Sequence, residues 1–157
     1  MRKQGRQGGF TIIELMIVVT VIGVLAAIVL PTFRLDTARA KVSEAVLAFA
    51  PCKNAVTEVY MSGGDPPGGG NWGCEVASGA SQYVDSISTS AEGIISISLR
   101  GFNDLRIDTF TITMAPLMAS GTYPTSTGDE VRSWRCGATA DGTDLDPKYL
   151  PSSCRGY

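Results

Sequence analysis

Two features of this sequence could do chemistry: one carboxylate in an apolar run, and a set of four cysteines. Glu14 is the only charged residue between Phe10 and Leu30, a run of 21 residues. A helix of that length, at about 1.5 Å per residue, spans roughly 31 Å, close to the hydrocarbon thickness of a bilayer. Because a charge inside a bilayer is costly, Glu14 requires a group that neutralises it.

A neutralising group for Glu14 would form if the chain were cut just before the apolar run. Gly8 and Gly9 precede Phe10, and cleavage after Gly9 would leave a new amino terminus on Phe10. In a helix that begins there, Glu14 lies about one turn further on. The ammonium group of the same chain or of a neighbouring copy could balance the carboxylate, which also suits the positive end of the helix dipole. The residues alone leave both donors open.

Two simpler interpretations of the apolar run compete with this one. Arg2, Lys3 and Arg6 give it a positive start, as in a secretory signal, and residues 38–40 (Ala-Arg-Ala) could form the cleavage site. The apolar core of such a signal is usually about 7–15 residues long, however, which is shorter than this run. A plain membrane anchor, with its positive end on the cytoplasmic side, fits the length but leaves Glu14 without a purpose.

The composition excludes several classes of function. The chain has 157 residues, enough for one modest domain and an appended segment, with 13 Lys and Arg against 15 Asp and Glu. No basic stripe indicates a dedicated nucleic-acid surface. The sequence has no histidine, which excludes Ser-His-Asp and Cys-His catalysis and removes the commonest metal ligand. We therefore predict no catalysis, no metal site and no cofactor.

The four cysteines, Cys52, Cys74, Cys136 and Cys154, all follow the apolar run. An even number of cysteines in an exported domain predicts two disulfides, and the sequence allows three pairings. A metal site is disfavoured because the thiols are widely spread and the chain has neither a histidine nor a C-x-x-C pair.

The element that carries Glu14 is predicted to be a long helix. Apolar residues recur at three- and four-residue steps over residues 35–60, which indicates an amphipathic second half with one buried face. Gly23 and Pro31 are common types in membrane helices, but Gly lowers helix propensity and Pro lacks an N–H, so both also weaken a helix. Pro51 predicts a kink or a fresh turn, and residues 62–64 (Ser-Gly-Gly) predict the helix end.

A loop and a small sheet are predicted after the helix. Residues 63–73 are too rich in Gly and Pro for a helix or strand, and they separate Cys52 from Cys74. A disulfide between these two cysteines would close a loop with 21 residues between them, which is worth about 3 kcal/mol in the chain-entropy model. Alternation and turn residues predict strands at 82–87, 94–99, 108–114 and, more weakly, 131–136, with a turn at 91–93. An antiparallel sheet packed on the amphipathic helix gives an α+β fold.

The third predicted strand alternates most clearly and is followed by an insertion. Phe110, Ile112 and Met114 alternate with threonines, the period of a half-buried strand. Residues 114–130 then read as an insertion between strands. Among the acidic residues, 141–146 (Asp-Gly-Thr-Asp-Leu-Asp) are similar to a calcium loop, but they lack the spacing of an EF-hand and its closing Glu. A solvated acidic turn is the favoured interpretation.

The apolar run resembles the N-terminal signature of type IV pilins. The resemblance lies in residues 9–19 (GFTIIELMIVV), residues 22–28 (IGVLAAI) and Pro31. It implies that a prepilin peptidase cuts after Gly9 and methylates the new N-terminal Phe10. It further implies that Glu14 is needed for methylation and assembly, and that it neutralises the Phe10 amine of an adjacent subunit. The helix between Gly23 and Pro31 is implied to lose helicity in an assembled fibre.

The end of the chain resembles the end of pilin heads, through residues 134–136 (Trp-Arg-Cys) and 149–154 (Tyr-Leu-Pro-Ser-Ser-Cys). This resemblance implies a disulfide between Cys136 and Cys154 that closes a C-terminal loop. Two features depart from the commonest pattern, namely the additional pair Cys52 and Cys74 and the insertion-like residues 114–130.

The resemblance implies a complete organisation for the chain. Residues 1–9 would be a leader, residues 10–30 a membrane-spanning and fibre-core helix, and residues 31–157 a head with the α+β pilin fold. The chain would be a structural subunit that polymerises with copies of itself, served by the prepilin peptidase and the pilus assembly machinery. It would pass from the bacterial inner membrane to an extracellular fibre used for adhesion, twitching motility or DNA uptake. A minor pilin, a type II secretion pseudopilin and a monomeric membrane-anchored binding protein are the alternatives.

Overall fold

A computed structural model describes residues 9–126 and 128–156, so most of the predicted leader lies outside the described residues. The chain divides into two compact units, the first ending at Asp36 and the second beginning at Thr37. The elements are helices α1 (Ile12–Leu47) and α2 (Ala50–Ser62), strands β1 (Val84–Thr89), β2 (Ile95–Leu99), β3 (Thr111–Leu117) and β4 (Ser133–Cys136), and a 3₁₀ turn at Thr139–Asp141. The strands form one antiparallel sheet in the order β1-β2-β3-β4. The predicted α+β class is confirmed.

The predicted break in the helix lies where α1 gives way to α2. The N–H groups of Ala48 and Phe49 bond three residues back, to the carbonyls of Ala45 (3.0 Å) and Val46 (3.2 Å), which tightens the chain into a short 3₁₀-like turn. Pro51 lies in the first turn of α2, where its missing N–H leaves no hydrogen bond unmade. The break predicted at this proline is thus confirmed.

The core of the second unit is formed by the buried faces of the helices and of the sheet. Ile95, Ile97 and Leu99 alternate with half-buried serines along β2, as a strand with one core face requires. Val42 and Phe49 are buried on the helical side. α2 ends at Ser62, as predicted, because Gly63 adopts a left-handed conformation with φ of 73° and its N–H bonds to the Tyr60 carbonyl.

The predicted bounds and burial of the third strand are wrong. The strand begins at Thr111 and ends at Leu117, so residues 114–117 belong to the sheet and not to an insertion. Thr113 is 2% exposed, whereas Met114 is only half-buried. Thr113 is buried because Thr143 covers it: the two hydroxyl oxygens lie 2.7 Å apart, and the Thr113 N–H donates to the Thr143 hydroxyl at 3.0 Å. A threonine with these partners loses little on burial.

The loop at residues 63–73 lies less on the surface than predicted. Trp72 is 5% exposed and its ring centroid lies 5.6 Å from that of Tyr60. The Trp72 indole N–H donates to the Ser90 carbonyl at 2.9 Å, so the loop is fixed to the sheet side of the unit. A disulfide between Cys74 and Cys52 ties the end of this loop to the first turn of α2.

Candidate functional site

The first candidate site is the apolar half of α1. Among the described residues, Ile12–Val29 is the one segment long and apolar enough to span a bilayer. Its large apolar side chains are exposed around the whole helix, from 49% at Val18 to 81% at Ile12, and Phe10 just before it is 83% exposed. A helix that is apolar all round belongs in lipid or against other protein. The exposed apolar side chains of this segment must therefore be buried by lipid or by other protein chains.

Glu14 lies in the first turn of α1, next to a capping residue that sequence reasoning missed. The Glu14 N–H donates to the Thr11 hydroxyl oxygen at 3.3 Å, and that hydroxyl lies 3.5 Å from the Glu14 carboxylate. Thr11-Ile12-Ile13-Glu14 has the T-x-x-E spacing of a capping box, which was a readable signal. This arrangement holds the carboxylate near the positive end of the helix dipole.

Other unusual residues of this helix have simple local surroundings. The Thr20 hydroxyl donates within the helix, to the carbonyls of Met16 at 3.0 Å and Ile17 at 2.8 Å, so its polar group is satisfied without water. A Cβ placed on Gly23 would meet no atom of the described residues within 4 Å, so no contact among them requires glycine there. α1 remains helical through Pro31.

The Cys52–Cys74 disulfide is supported by a hydrogen-bonded carboxylate at Glu75. This side chain accepts the backbone N–H of Trp72 at 2.9 Å and of Cys74 at 3.0 Å, and the hydroxyl of Thr89. Burial alone would raise the pKa of Glu75, but these hydrogen bonds outweigh burial and the pKa lies below its usual value. Glu75 therefore fixes the end of the loop in its charged form.

Tyr60 anchors the same region from the helical side. Its hydroxyl donates to the carbonyls of Pro124 at 3.1 Å and Glu92 at 3.2 Å, and it is 3% exposed. Burial, together with the nearby charges of Asp129 and Glu92, raises the pKa of Tyr60 to about 12. The tyrosine thus stays a neutral donor that ties α2 to the segment before β4.

A second disulfide joins Cys136 to Cys154, and a partly buried ion pair lies beside it. Arg135 Nε donates to Asp141 Oδ2 at 2.8 Å, and Tyr123 also donates to this carboxylate, whose side chain is fully buried. Burial raises the pKa of Asp141, but the hydrogen bonds from Arg135 and Tyr123 outweigh it and hold the pKa below its usual value.

The predicted solvated turn at residues 141–146 is thus wrong in its first residue. Asp141 is a structural anion, because six residues of chain return it to the guanidinium of Arg135. The spacing of Arg135 and Asp141 in the sequence carries no recognisable signal, because the 3₁₀ turn at Thr139–Asp141 is what brings the two side chains together. In the described part of the chain, no cluster of three or more acidic or cysteine side chains is arranged to hold a metal ion.

Comparison with known proteins identifies the family. The family described as pilin, a bacterial filament protein, matches residues 38–155, and the prokaryotic N-terminal methylation motif matches residues 4–30. The type IV major pilin protein PilE1 of Neisseria gonorrhoeae is 39% identical, over 96% of this chain and 75% of that protein. A fimbrial protein of Neisseria meningitidis serogroup B is 35% identical over 95% and 94%, and one of Pseudomonas aeruginosa 29% identical over 94% and 96%. This chain belongs to the pilin family, as its N-terminal signature predicted.

Proposed function

We propose that this pilus subunit matures by cleavage after Gly9 and then polymerises through its exposed apolar helix. The observation that carries the proposal is the pairing of that helix with one carboxylate in its first turn. Packing the exposed side chains of Ile12–Val29 against other copies would keep this apolar surface out of water in the fibre, which is worth about 25 cal/mol per Å² relative to exposure, as lipid does before assembly.

Glu14 is proposed to set the register of that polymer. A charge on Phe10 and a carboxylate on Glu14 cannot enter an apolar fibre core unpaired without a cost of several kcal/mol. Pairing the amine of one copy with the carboxylate of the next satisfies both charges only at one axial offset. Thr11 supports this role because its hydroxyl holds the first turn in place around Glu14.

Gly23 and Pro31 are proposed to make the fibre-core helix deformable. No contact with another described residue explains the glycine at position 23, and Pro31 cannot donate a backbone hydrogen bond. Local unwinding between them would let the core extend without breaking contacts elsewhere.

The remaining parts of the proposal follow from the pilin family. The partners are the prepilin peptidase and the assembly machinery, and the subunit lies first in the inner membrane and then in the fibre. Residues 31–157 form the outer head, and the fibre serves adhesion, twitching motility or DNA uptake. We assign the head no catalysis.

Peptide and intact mass of fibres sheared from cells test this proposal. We expect one abundant subunit whose first residue is Phe10 carrying one added methyl group. A chain beginning at Lys41 would instead support an ordinary secretory signal and overturn the proposal. A chain still carrying residues 1–9 in assembled fibres would also contradict it, because Phe10 would then have no free amine.

A further inference from the structure

The loop between β2 and β3 presents an unusually exposed apolar side chain. We call residues 102–110 the knob loop. Leu105, at its tip, is 92% exposed, more than any other of the large apolar side chains exposed in the described residues. A single exposed leucine is common. The way this loop is built, however, separates it from an ordinary surface turn.

Two buried side chains and two hydrogen bonds fix the base of the knob loop. Phe102 and Ile107 are buried on either side of the tip. The Asp108 carboxylate accepts the N–H of Phe102 at 2.9 Å and of Asp104 at 3.3 Å, which closes the loop on itself. Leu105 is thus displayed on a fixed base, and little conformational freedom would be lost on binding.

Backbone strain is concentrated in the same loop. Asn103 and Thr109 have φ of 56° and 74°, and they are the non-glycine residues with positive φ in the described chain. For a β-branched residue such as Thr109 this conformation is a genuine outlier that strains the backbone. Strain that is retained at a loop whose tip is apolar indicates that the display of Leu105 has a use.

A groove with matching chemistry lies elsewhere on the second unit, between α2 and the segment around β4. It has a volume of about 730 Å³. Its apolar lining includes Trp134 and Met61, the latter 72% exposed. Lys53 and Arg132 provide two cations at its wall against one anion, Glu58. The Lys53 ammonium lies 5.8 Å from the centroid of the Trp134 ring, over its face.

The charges of the two surfaces complement each other. The knob loop carries two carboxylates, Asp104 and Asp108, against the single cation Arg106, and Asp104 Oδ2 pairs with Arg106 at 2.8 Å. The groove has the opposite excess. Arg132 also pairs with Glu130 at 2.9 Å, but surface pairs of this kind contribute little and exchange easily.

We propose that Leu105 of one copy seats in this groove of a second copy in the fibre, with the Asp104 carboxylate facing Lys53 and Arg132. The inference rests on the proposed polymerisation and adds a contact between heads to the contact between apolar helices. Knob and groove are different surfaces of the same chain, so the contact is heterologous. Repeated heterologous contacts build an open helical filament unless the rotation closes a ring.

Photo-crosslinking in assembled fibres tests this contact. A benzophenone amino acid replaces Leu105 in the full chain, and fibres are grown from a mixture of ¹⁴N and ¹⁵N subunits. We expect crosslinks to peptides containing residues 53–62 or 131–134, with mixed isotopes that prove two copies. The same label at Leu47, which is 72% exposed, is the matched control and should not capture the groove.

Capture of other segments from position 105, capture only within one chain, or no capture in intact fibres would overturn the contact while leaving polymerisation in place. Failure of the unsubstituted chain to form fibres would instead overturn the proposed function and the contact with it.

Substitution gives a second test of the same contact. Leu105→Ser and Met61→Ser should each weaken the resistance of fibres to dissociation by about tenfold, the usual effect of losing a central interface side chain. The double variant should be no weaker than either single one, because both remove the same contact. Additive losses would contradict the proposal. Both side chains are largely exposed, so the unfolding midpoint of the head should not change.

Discussion

The two units of this chain differ in whether their apolar side chains are exposed or buried. In the first unit, the side chains of Ile12–Val29 are exposed around the whole helix. In the second, Ile97, Phe49 and their neighbours are buried, and two disulfides close the loops around them. The first unit therefore depends on other molecules for its stability, whereas the second carries its stability within itself. A fibre can then be assembled or dismantled without unfolding the heads.

The largest expected effect that tests this division concerns Glu14. Glu14→Ala should lower fibre yield by roughly a hundredfold or more, because the Phe10 amine then enters the core unpaired at a cost of several kcal/mol. The unfolding midpoint of the head should stay unchanged. Sheared fibre yield and circular dichroism of the membrane-held subunit measure the two results.

Glu44→Ala is the matched control for Glu14→Ala, since Glu44 is an exposed carboxylate on the same helix. Glu14→Gln distinguishes charge from hydrogen bonding, because it keeps an acceptor for Thr11 and loses the charge. Normal fibre yield in Glu14→Ala would leave the carboxylate without a role in assembly.

A pair of glycine substitutions compares the two units directly. A Cβ on Gly137, whose φ is 77°, would lie 2.3 Å from the Cys154 carbonyl oxygen, so Gly137→Ala should destabilise the head by about 2–4 kcal/mol. Gly23→Ala meets no atom within 4 Å and adds helix propensity, so the head should melt as before. Any loss of fibre yield in Gly23→Ala then concerns the fibre core, through the proposed deformability of the helix or its close packing against neighbouring helices. Thermal unfolding and fibre yield of both variants measure this contrast, which equal melting shifts would refute.

A smaller effect is expected from the buried ion pair of the head. Arg135→Met leaves the buried Asp141 carboxylate without its cation and should lower the free energy of unfolding by about 2–3 kcal/mol. Arg132→Met removes an exposed pair with Glu130 and should change it by less than about 0.5 kcal/mol. Urea unfolding of the two variants tests the difference. Equal losses would show that the Asp141 pair adds nothing beyond a surface contact.

The smallest expected effect is a pH dependence caused by Glu75. Its pKa in the folded head lies below the ordinary value of 4.5, so its stabilisation is complete above about pH 4.5 and is lost as the pH falls through the folded pKa. Glu75→Gln should therefore melt lower than the unsubstituted head at pH 7, and the two should converge in acid. A difference that stays constant across this range would show that the charge of Glu75 is irrelevant.

What the sequence could predict depends on how local each signal was. The membrane-length run, Glu14, the break at Pro51 and the helix end near Gly63 are encoded in adjacent residues. The α+β class followed from the amphipathic helix together with the alternating pattern of the strands. The T-x-x-E spacing that begins at Thr11 is a local signal of the same kind. The site assignments at Gly9, Phe10 and Glu14 stay predictions, because they concern events between molecules.

The errors arose where distant residues decide the outcome. Thr113 was expected on the solvent side of its strand, but Thr143, thirty residues later, covers it. Residues 114–117 were assigned to an insertion because their pairing partner, β4, is short and gave a weak pattern. Asp141 was expected in solvent because no local sequence pattern indicates its ion pair with Arg135.

The hydrogen bonds of the Thr20 hydroxyl do not depend on what surrounds the helix. Because it donates to carbonyls of its own helix, its hydrogen bonds move with the segment and need no exchange of partners. A subunit sliding from lipid into a protein lattice would then break no bond at this position, and withdrawing it would break none either. The hydroxyl of Thr20 therefore favours neither lipid nor protein as its surroundings, a property suited to a segment that both can cover.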